Sequence, residues 1–232
     1  MIFYEATSFG LRVATFEFIN NSNQNLKVRL LPMVHIGEEK YYKEVEKYLE
    51  HCDIIIYEGL KFKTRRLKIK NRERTAEKLN LVTQSKCLNL KRFKDKLIHA
   101  DLDIEKGEKE WKKLSVIDKL KYRVFFPIYI YFQDSNITRK KLVKYFMKSN
   151  TDIGLTEGPM FDKEEKIKGF INYSRDKIVF DELDKLHSKR IKADATIGIV
   201  YGANHMKSIA NHLMNNLGYK AGKGKYIEVF KV

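Results

Sequence analysis

Cysteine is almost missing. Cys52 and Cys87 are the only two in 232 residues, far apart and without C-x-x-C spacing. That argues against a disulfide framework and a thiolate zinc site, and it fits a reducing compartment, so a cytoplasmic protein is expected. Long apolar runs are missing too. The longest, VFFPIYIYF from Val124 to Phe132, is interrupted by Pro127 and is about half of the ~20 residues a membrane-spanning helix needs. The opening MIFYEATSFGLRVATFEF lacks a basic stretch followed by an apolar one, so no secretory signal is read there and a soluble chain is expected. There is no internal repeat and no Pro/Gly/Ser-rich linker. Acids are also short, 30 against 46 Lys and Arg, giving a net charge of +16.

What is present suits one substantial core. Hydrophobic residues make up 43% and aromatics 12%, enough to fold without covalent staples at a length where two compact domains would be cramped. Lysine is spread along the whole chain. The densest basic segment, Lys61 to Arg74 (KFKTRRLKIKNRER), holds eight Lys or Arg and one acid, Glu73. Such a run can attract phosphate backbones or anionic lipid, but no zinc-finger spacing, recognition helix or aromatic RNP-like strand accompanies it. A solvated connector is the preferred reading, and a nucleic-acid contact through 61–74 is the alternative.

Periodicity orders the elements. Gly10 to Asn20 and Leu26 to Val34 are β-rich and separated by the polar turn NNSNQN, a hairpin. From Glu38 to Cys52 the apolar Tyr42, Val45, Leu49 and Cys52 share a helical face. Asp53 to Tyr57 (DIIIY) reads as a strand buried on both faces. Thr75 to Leu81 is helical, and Lys96 to Ala100 is a strand leading to Asp101 and Asp103. Residues Lys112 to Met147 are helical with a break at Pro127, Asn150 to Pro159 is a loop, and Ser174 to Arg190 is a helix. Ala195 to Tyr201 is a strand, Gly202 to His205 a tight turn, and Met206 to Leu217 a helix stopped by Gly218. Tyr226 to Phe230 is a closing strand. The expected fold is α/β: a central mostly parallel or mixed sheet flanked by helices, with an N-terminal β-hairpin. It forms a single domain over 1–232, with a helical insertion at roughly 112–172.

This order bears on chemistry. Strand–helix–strand crossovers are right-handed and make their strands parallel, so His35 and Glu58, each placed just after a strand, emerge at the same carboxyl edge. Open α/β sheets bind ligands there. His205 comes after a third strand and joins them if that strand is also parallel. Two imidazoles and a carboxylate can hold a divalent ion with open positions, and such an ion activates water near neutral pH. Individually, each residue also has a plain reading: His35 bonded to backbone, Glu58 as a strand-end carboxylate, His205 as a helix cap. His99 is a further candidate ligand. His51, His187 and His212 read as structural or surface residues.

The segments PMVHIGEEKYYKEVEKYLEHCDIIIYEGL and IGIVYGANHMKSIANHLMNNLGYK resemble the TraB/PrgY/Tiki family, within the superfamily that includes erythromycin-esterase-like and ChaN-like proteins. That family carries two G-x-x-H motifs and an acid after the second strand. The resemblance places His35 and His205 as metal ligands with Glu58, which completes the ligand set or acts as general base. HADLD puts Asp101 in the family's Asp-bearing loop, where it would orient a histidine. SRDKIVFDEL puts Arg175 at its arginine-led helix, where it would stabilise oxyanion charge; its plain reading is a surface salt bridge with Asp176 or a neighbouring acid. LNLVTQ places Gln84 near the site. One departure is clear: Pro32 stands at the first motif's glycine, fixing φ and removing an N–H. The resemblance implies a metal-dependent, peptidase-like hydrolase acting on a peptide or small amide or ester, with manganese, cobalt or zinc as candidate ions. The alternatives are a non-catalytic metal- or haem-binding protein, with Tyr57, Tyr201 and the histidines as axial candidates, and the basic-surface adaptor.

Overall fold

The computed structural model describes residues 1–59, 65–101, 137–151, 162–188 and 194–232. The element order is β1 (Tyr4–Thr7), β2 (Gly10–Asn20), β3 (Lys27–Met33), β4 (Ile36–Gly37), α1 (Glu39–Glu50), β5 (Ile54–Tyr57), α2 (Arg65–Lys78), β6 (Val82–Thr83), the single turn α3 (Gln84–Cys87), β7 (Leu97–His99), α4 (Arg139–Thr151), α5 (Asp162–Ser188), β8 (Thr196–Gly202), α6 (Met206–Asn215) and β9 (Tyr219–Lys231). Most of the expected 112–147 helical region, Asp103 and most of the 150–159 loop lie outside the described residues.

Seven of the strands make one mixed sheet. β3, β8, β5 and β7 lie side by side in that order and run parallel. β2 pairs antiparallel with β3 along one half of its length and with β1 along the other, and β9 covers its opposite side. The fold is therefore α/β with antiparallel strands at its N-terminal side, as the pattern predicts. The third parallel strand, β8, is inserted between β3 and β5, so the crossover through α1 skips one position in the sheet.

Both faces of the parallel part are buried, which is why its strands are almost continuously apolar. Leu31, Met33, Ile55 and Val200 pack under α1 through Tyr41, Tyr42, Val45 and Leu49. Leu30, Ile56, Ile197, Ile199 and Tyr201 face the other way, against Val179 and Leu183 of α5 and Met206, Ile209 and Leu213 of α6. Neighbouring residues such as Ile55 and Ile56 serve opposite cores because side chains alternate along a strand.

Several boundaries differ from expectation, for local reasons. β9 begins at Tyr219 rather than Tyr226. Its first half is rich in lysine and glycine, which disfavour strands. A Cβ at Gly224 would lie 2.5 Å from the Phe16 ring and one at Gly222 2.8 Å from the Glu17 carbonyl, so these glycines mark close approach to β2 rather than a turn. α5 begins twelve residues earlier than Ser174, although Gly169 disfavours helix by propensity. Much of the basic segment is helical, since α2 spans 65–78. Gly218 takes φ +68 just past α6, as a C-terminal cap requires.

Pro32 sits inside β3, opposite Tyr201 of β8. The β2 ladder on the other side ends at Leu30, so a residue without an N–H is tolerated there. The chain beyond it is held by α1. Tyr41 donates its hydroxyl to the Pro32 carbonyl at 2.6 Å and accepts from the Val34 N–H at 3.3 Å. Tyr42 donates to the Val34 carbonyl at 3.0 Å. Burial pushes both phenols above their usual pKa, so both stay protonated. Two consecutive tyrosines thus fix the residues that lead into His35. Tyr41→Phe and Tyr42→Phe should each cost about 1–3 kcal/mol, the cost of leaving a buried backbone group unpaired. Urea denaturation measures this. Losses under about 0.5 kcal/mol, the range of ordinary surface changes, would show that the two hydroxyls do not clamp this segment.

Candidate functional site

The parallel strands end nearly level. Met33 is opposite Gly202, and Tyr57 is opposite both Val200 and His99. The residues just past the strand ends therefore gather at one edge: His35 after β3, Glu58 after β5, Asp101 after β7 and His205 after β8. Backbone bonds keep the ladder going beyond the strands, from Glu58 N–H to the Val200 carbonyl (3.2 Å) and from Ala100 N–H to the Tyr57 carbonyl (3.1 Å).

Helix α5 supplies the cation at the centre. Arg175 donates from Nε to Asp101 Oδ1 (2.8 Å) and from NH2 to Asp101 Oδ2 (3.1 Å) and Glu58 Oε2 (2.9 Å). Its NH1 faces His205 Nε2 at 3.3 Å. The guanidinium carbon lies 5.4 Å from the centre of the Tyr201 ring, and the His205 ring meets Tyr201 edge-on at 5.0 Å. Burial opposes the charge on Arg175, but its bonds to Asp101 and the negative charges of Asp101 and Glu58 outweigh it and raise its pKa further. Asp101 also accepts the Gly59 N–H at 3.0 Å.

Of the predicted residues, Glu58, Asp101, Arg175 and His205 are brought into one connected, buried cluster. The expected partnership of Asp101 with a histidine is corrected: Asp101 holds Arg175, and Asp176 bonds His205 Nδ1 at 2.5 Å. The plain reading of Arg175 as a partner of Asp176 is likewise replaced by its bonds to Asp101 and Glu58. Since Nε and NH2 are committed to carboxylates, only NH1 is left for any oxyanion role.

His35 stands at the rim, exposed to solvent. Its Nδ1 meets Gln84 Oε1 at 2.9 Å, and its carbonyl accepts the Gln84 N–H at 2.9 Å. The short pairing of β4 with β6 brings Gln84 there. The imidazole pKa is lowered, first by desolvation from the protein side and then by the Arg72 charge, against the opposing pull of Glu58 and of the Gln84 bond. His35 thus senses Glu58 and Arg175 electrostatically. Among the described residues, no three His, Cys, Asp or Glu side chains are gathered closely enough to enclose an ion.

Two further candidates are otherwise engaged. His99 donates Nε2–H to the Gly59 carbonyl at 2.8 Å. Tyr201, offered as an axial haem ligand, is fully buried and donates its hydroxyl to the Ala100 carbonyl at 3.0 Å, which removes it from that role. A Cβ at Gly202 would sit 3.4 Å from both Glu58 Oε2 and His205 Cδ2, an ordinary contact, so space alone does not demand glycine there.

Among the described residues, one atom of the cluster has no hydrogen-bond partner. Glu58 Oε1 is buried and unbonded, on a side chain only 8% exposed. Buried carboxylate oxygens are ordinarily satisfied, so this one faces an unmet demand for a donor or a cation.

Asp176 is the site member that sequence reasoning passes over. A signal for it exists: 176, 179 and 183 fall at i, i+3 and i+7, so a carboxylate interrupts the buried stripe of α5. A charge in such a position calls for a buried partner. Compared with models of known families, with characterised proteins and with solved structures, the chain matches none.

Arg175→Met would leave Glu58 and Asp101 buried without their cation. Breaking a buried pair from one side costs about 3–5 kcal/mol, so a loss of that size is expected in denaturant unfolding at neutral pH. A loss below about 1 kcal/mol, the value of an exposed pair, would contradict the central role given to this guanidinium.

Proposed function

We propose that this chain is a divalent-metal-dependent hydrolase of peptide or small amide or ester bonds. The observation that carries the reading is Glu58 Oε1, a buried carboxylate oxygen with no partner. It lies in a cluster where Glu58, Asp101 and Asp176 surround the guanidinium of Arg175 and the ring of His205. Such a charge balance favours a second cation, because an unpaired buried anion is strongly disfavoured.

The donor set fits a divalent ion in chemical type. The three side chains are not gathered closely enough to enclose it as they stand. Glu58 through Oε1, His205 through an Nε2 released from Arg175 NH1 and His35 from the rim would have to draw together on it, an imidazole–carboxylate set suited to manganese, cobalt or zinc. When bound, the ion supplies Lewis acidity toward a carbonyl and toward water. The chain's own groups do the rest. Arg175, itself anchored by Asp101, holds Glu58 by its Oε2, so that Oε1 is the oxygen free to ligate or to take a proton from water as general base. Asp176 keeps the His205 Nδ1 proton occupied and the ring oriented. The NH1 group of Arg175, bonded to no carboxylate, is the donor available to developing negative charge. The resemblance of the two histidine-bearing segments to the TraB/PrgY/Tiki family supports the same assignment.

Calorimetric titration of metal-free protein with manganese, cobalt and zinc, beside a peptide-library hydrolysis assay, tests this. Glu58→Gln and His205→Ala should each lose affinity by more than about 100-fold, the upper range for changes beyond the ligands themselves, and should lose turnover with it. Retention of both metal content and hydrolysis by these variants and by His35→Ala would overturn the reading.

A further inference from the structure

Two of the six histidines are treated differently from the others. His51 and His187 turn Nδ1 to the carbonyl four residues back on their own helices. His99 and His212 use Nε2, toward the Gly59 carbonyl and Asp184. Only His35 and His205 have Nδ1 engaged by an acceptor side chain from a distant element: Gln84 Oε1 at 2.9 Å and Asp176 Oδ1 at 2.5 Å. Both also lie just past the carboxyl end of a parallel strand, β3 or β8.

A carboxylate can only accept, so the His205 Nδ1 must carry the proton. Arginine can only donate, so the NH1 contact at 3.3 Å meets a lone pair on Nε2. An imidazolium would set two donors against each other there. The two contacts together are met by the Nδ1–H form of the ring. The Gln84 carboxamide presents its oxygen to His35, which makes the same demand of that ring. A free histidine side chain prefers the opposite form, with the proton on Nε2, so two like exceptions at one site need a cause.

We infer that Asp176 and Gln84 are positioning residues that hold His205 and His35 as Nδ1–H tautomers, so that each ring offers Nε2 as its basic nitrogen. The use of those nitrogens as ligands rests on the metal-site reading; the tautomers themselves do not. The two acceptors differ in kind. Asp176 is anionic, side-chain buried to 10% exposure, and makes the His205 Nε2 the stronger donor. Gln84 is neutral and serves the exposed His35. His205 is the permanent anchor of the pair and His35 the exchangeable one.

Nitrogen-15 NMR of histidine rings in the metal-free protein reads the tautomers directly, because protonated and lone-pair nitrogens resonate far apart. The wild type should show Nδ1–H at both sites. Asp176→Ala should move His205 toward Nε2–H and weaken manganese binding by roughly 10–100-fold, the range for groups that orient a ligating histidine. Asp176→Asn, whose amide oxygen still accepts, should keep the tautomer and recover part of the affinity. Gln84→Met should shift His35 alone and cost less than Asp176→Ala. An Nε2–H signal at His205 or His35 in the wild type, or a tautomer unmoved by the matching substitution, would overturn the proposal. Tautomers as stated in a protein that binds no manganese, cobalt or zinc would support the positioning roles and sink the metal reading instead.

Discussion

The guanidinium of Arg175 is the interaction on which the rest of the site depends. It sits where the carboxyl ends of β5, β7 and β8 deliver Glu58, Asp101 and His205, and it touches all three. Without a cation there, two carboxylates at 8% and 0% side-chain exposure would face each other in a low-dielectric setting. Such an arrangement would oppose the packing of α5 on the sheet. Fold and site are thus one problem: the helix that closes one face of the core also brings the charge that lets acids stand at the sheet edge.

Arg175 neutralises only part of the negative charge. It binds Asp101 with two hydrogens and Glu58 through one oxygen, leaving the other Glu58 oxygen bare. A purely structural network would be expected to close on itself, since partly satisfied buried networks are destabilising. The opening is confined to one carboxylate oxygen, beside a histidine whose far nitrogen is anchored, and the proposed function rests on it. The clamp formed by Tyr41 and Tyr42 on residues 32–34 extends the same logic to the rim, where it sets the start of the loop carrying His35.

Much of this is legible in the chain. The DIIIY and ATIGIVY runs signal strands buried on both faces, and the 3–4 spacing of Tyr42, Val45 and Leu49 signals the helix between β3 and β5. Glu58 and His205 then share an edge if the third strand is also parallel, a condition the β5–β8 pairing meets. Pairing is not legible. Periodicity says which face a residue takes but not which neighbour it meets. Asp101 therefore reads as a partner for a histidine and Asp176 as a partner for Arg175, whereas the packing of α5 does the reverse. The first half of β9 is hidden because its glycines serve close contact with β2, and glycine in sequence more often signals a turn. Gln84 reaches His35 only through the two-residue β4–β6 pairing, too short to leave a pattern.

In the proposed function, the bare Glu58 oxygen and His205 Nε2, which here meets Arg175 NH1, share one cation. A crystal structure of the protein soaked in zinc, with anomalous scattering collected at the metal edge, tests this most directly. The expected result is an anomalous peak about 2.0–2.2 Å from Glu58 Oε1 and from His205 Nε2, with Asp176 still bonded to Nδ1. A peak elsewhere, or none at this edge while the cluster around Arg175 stays closed, would contradict it.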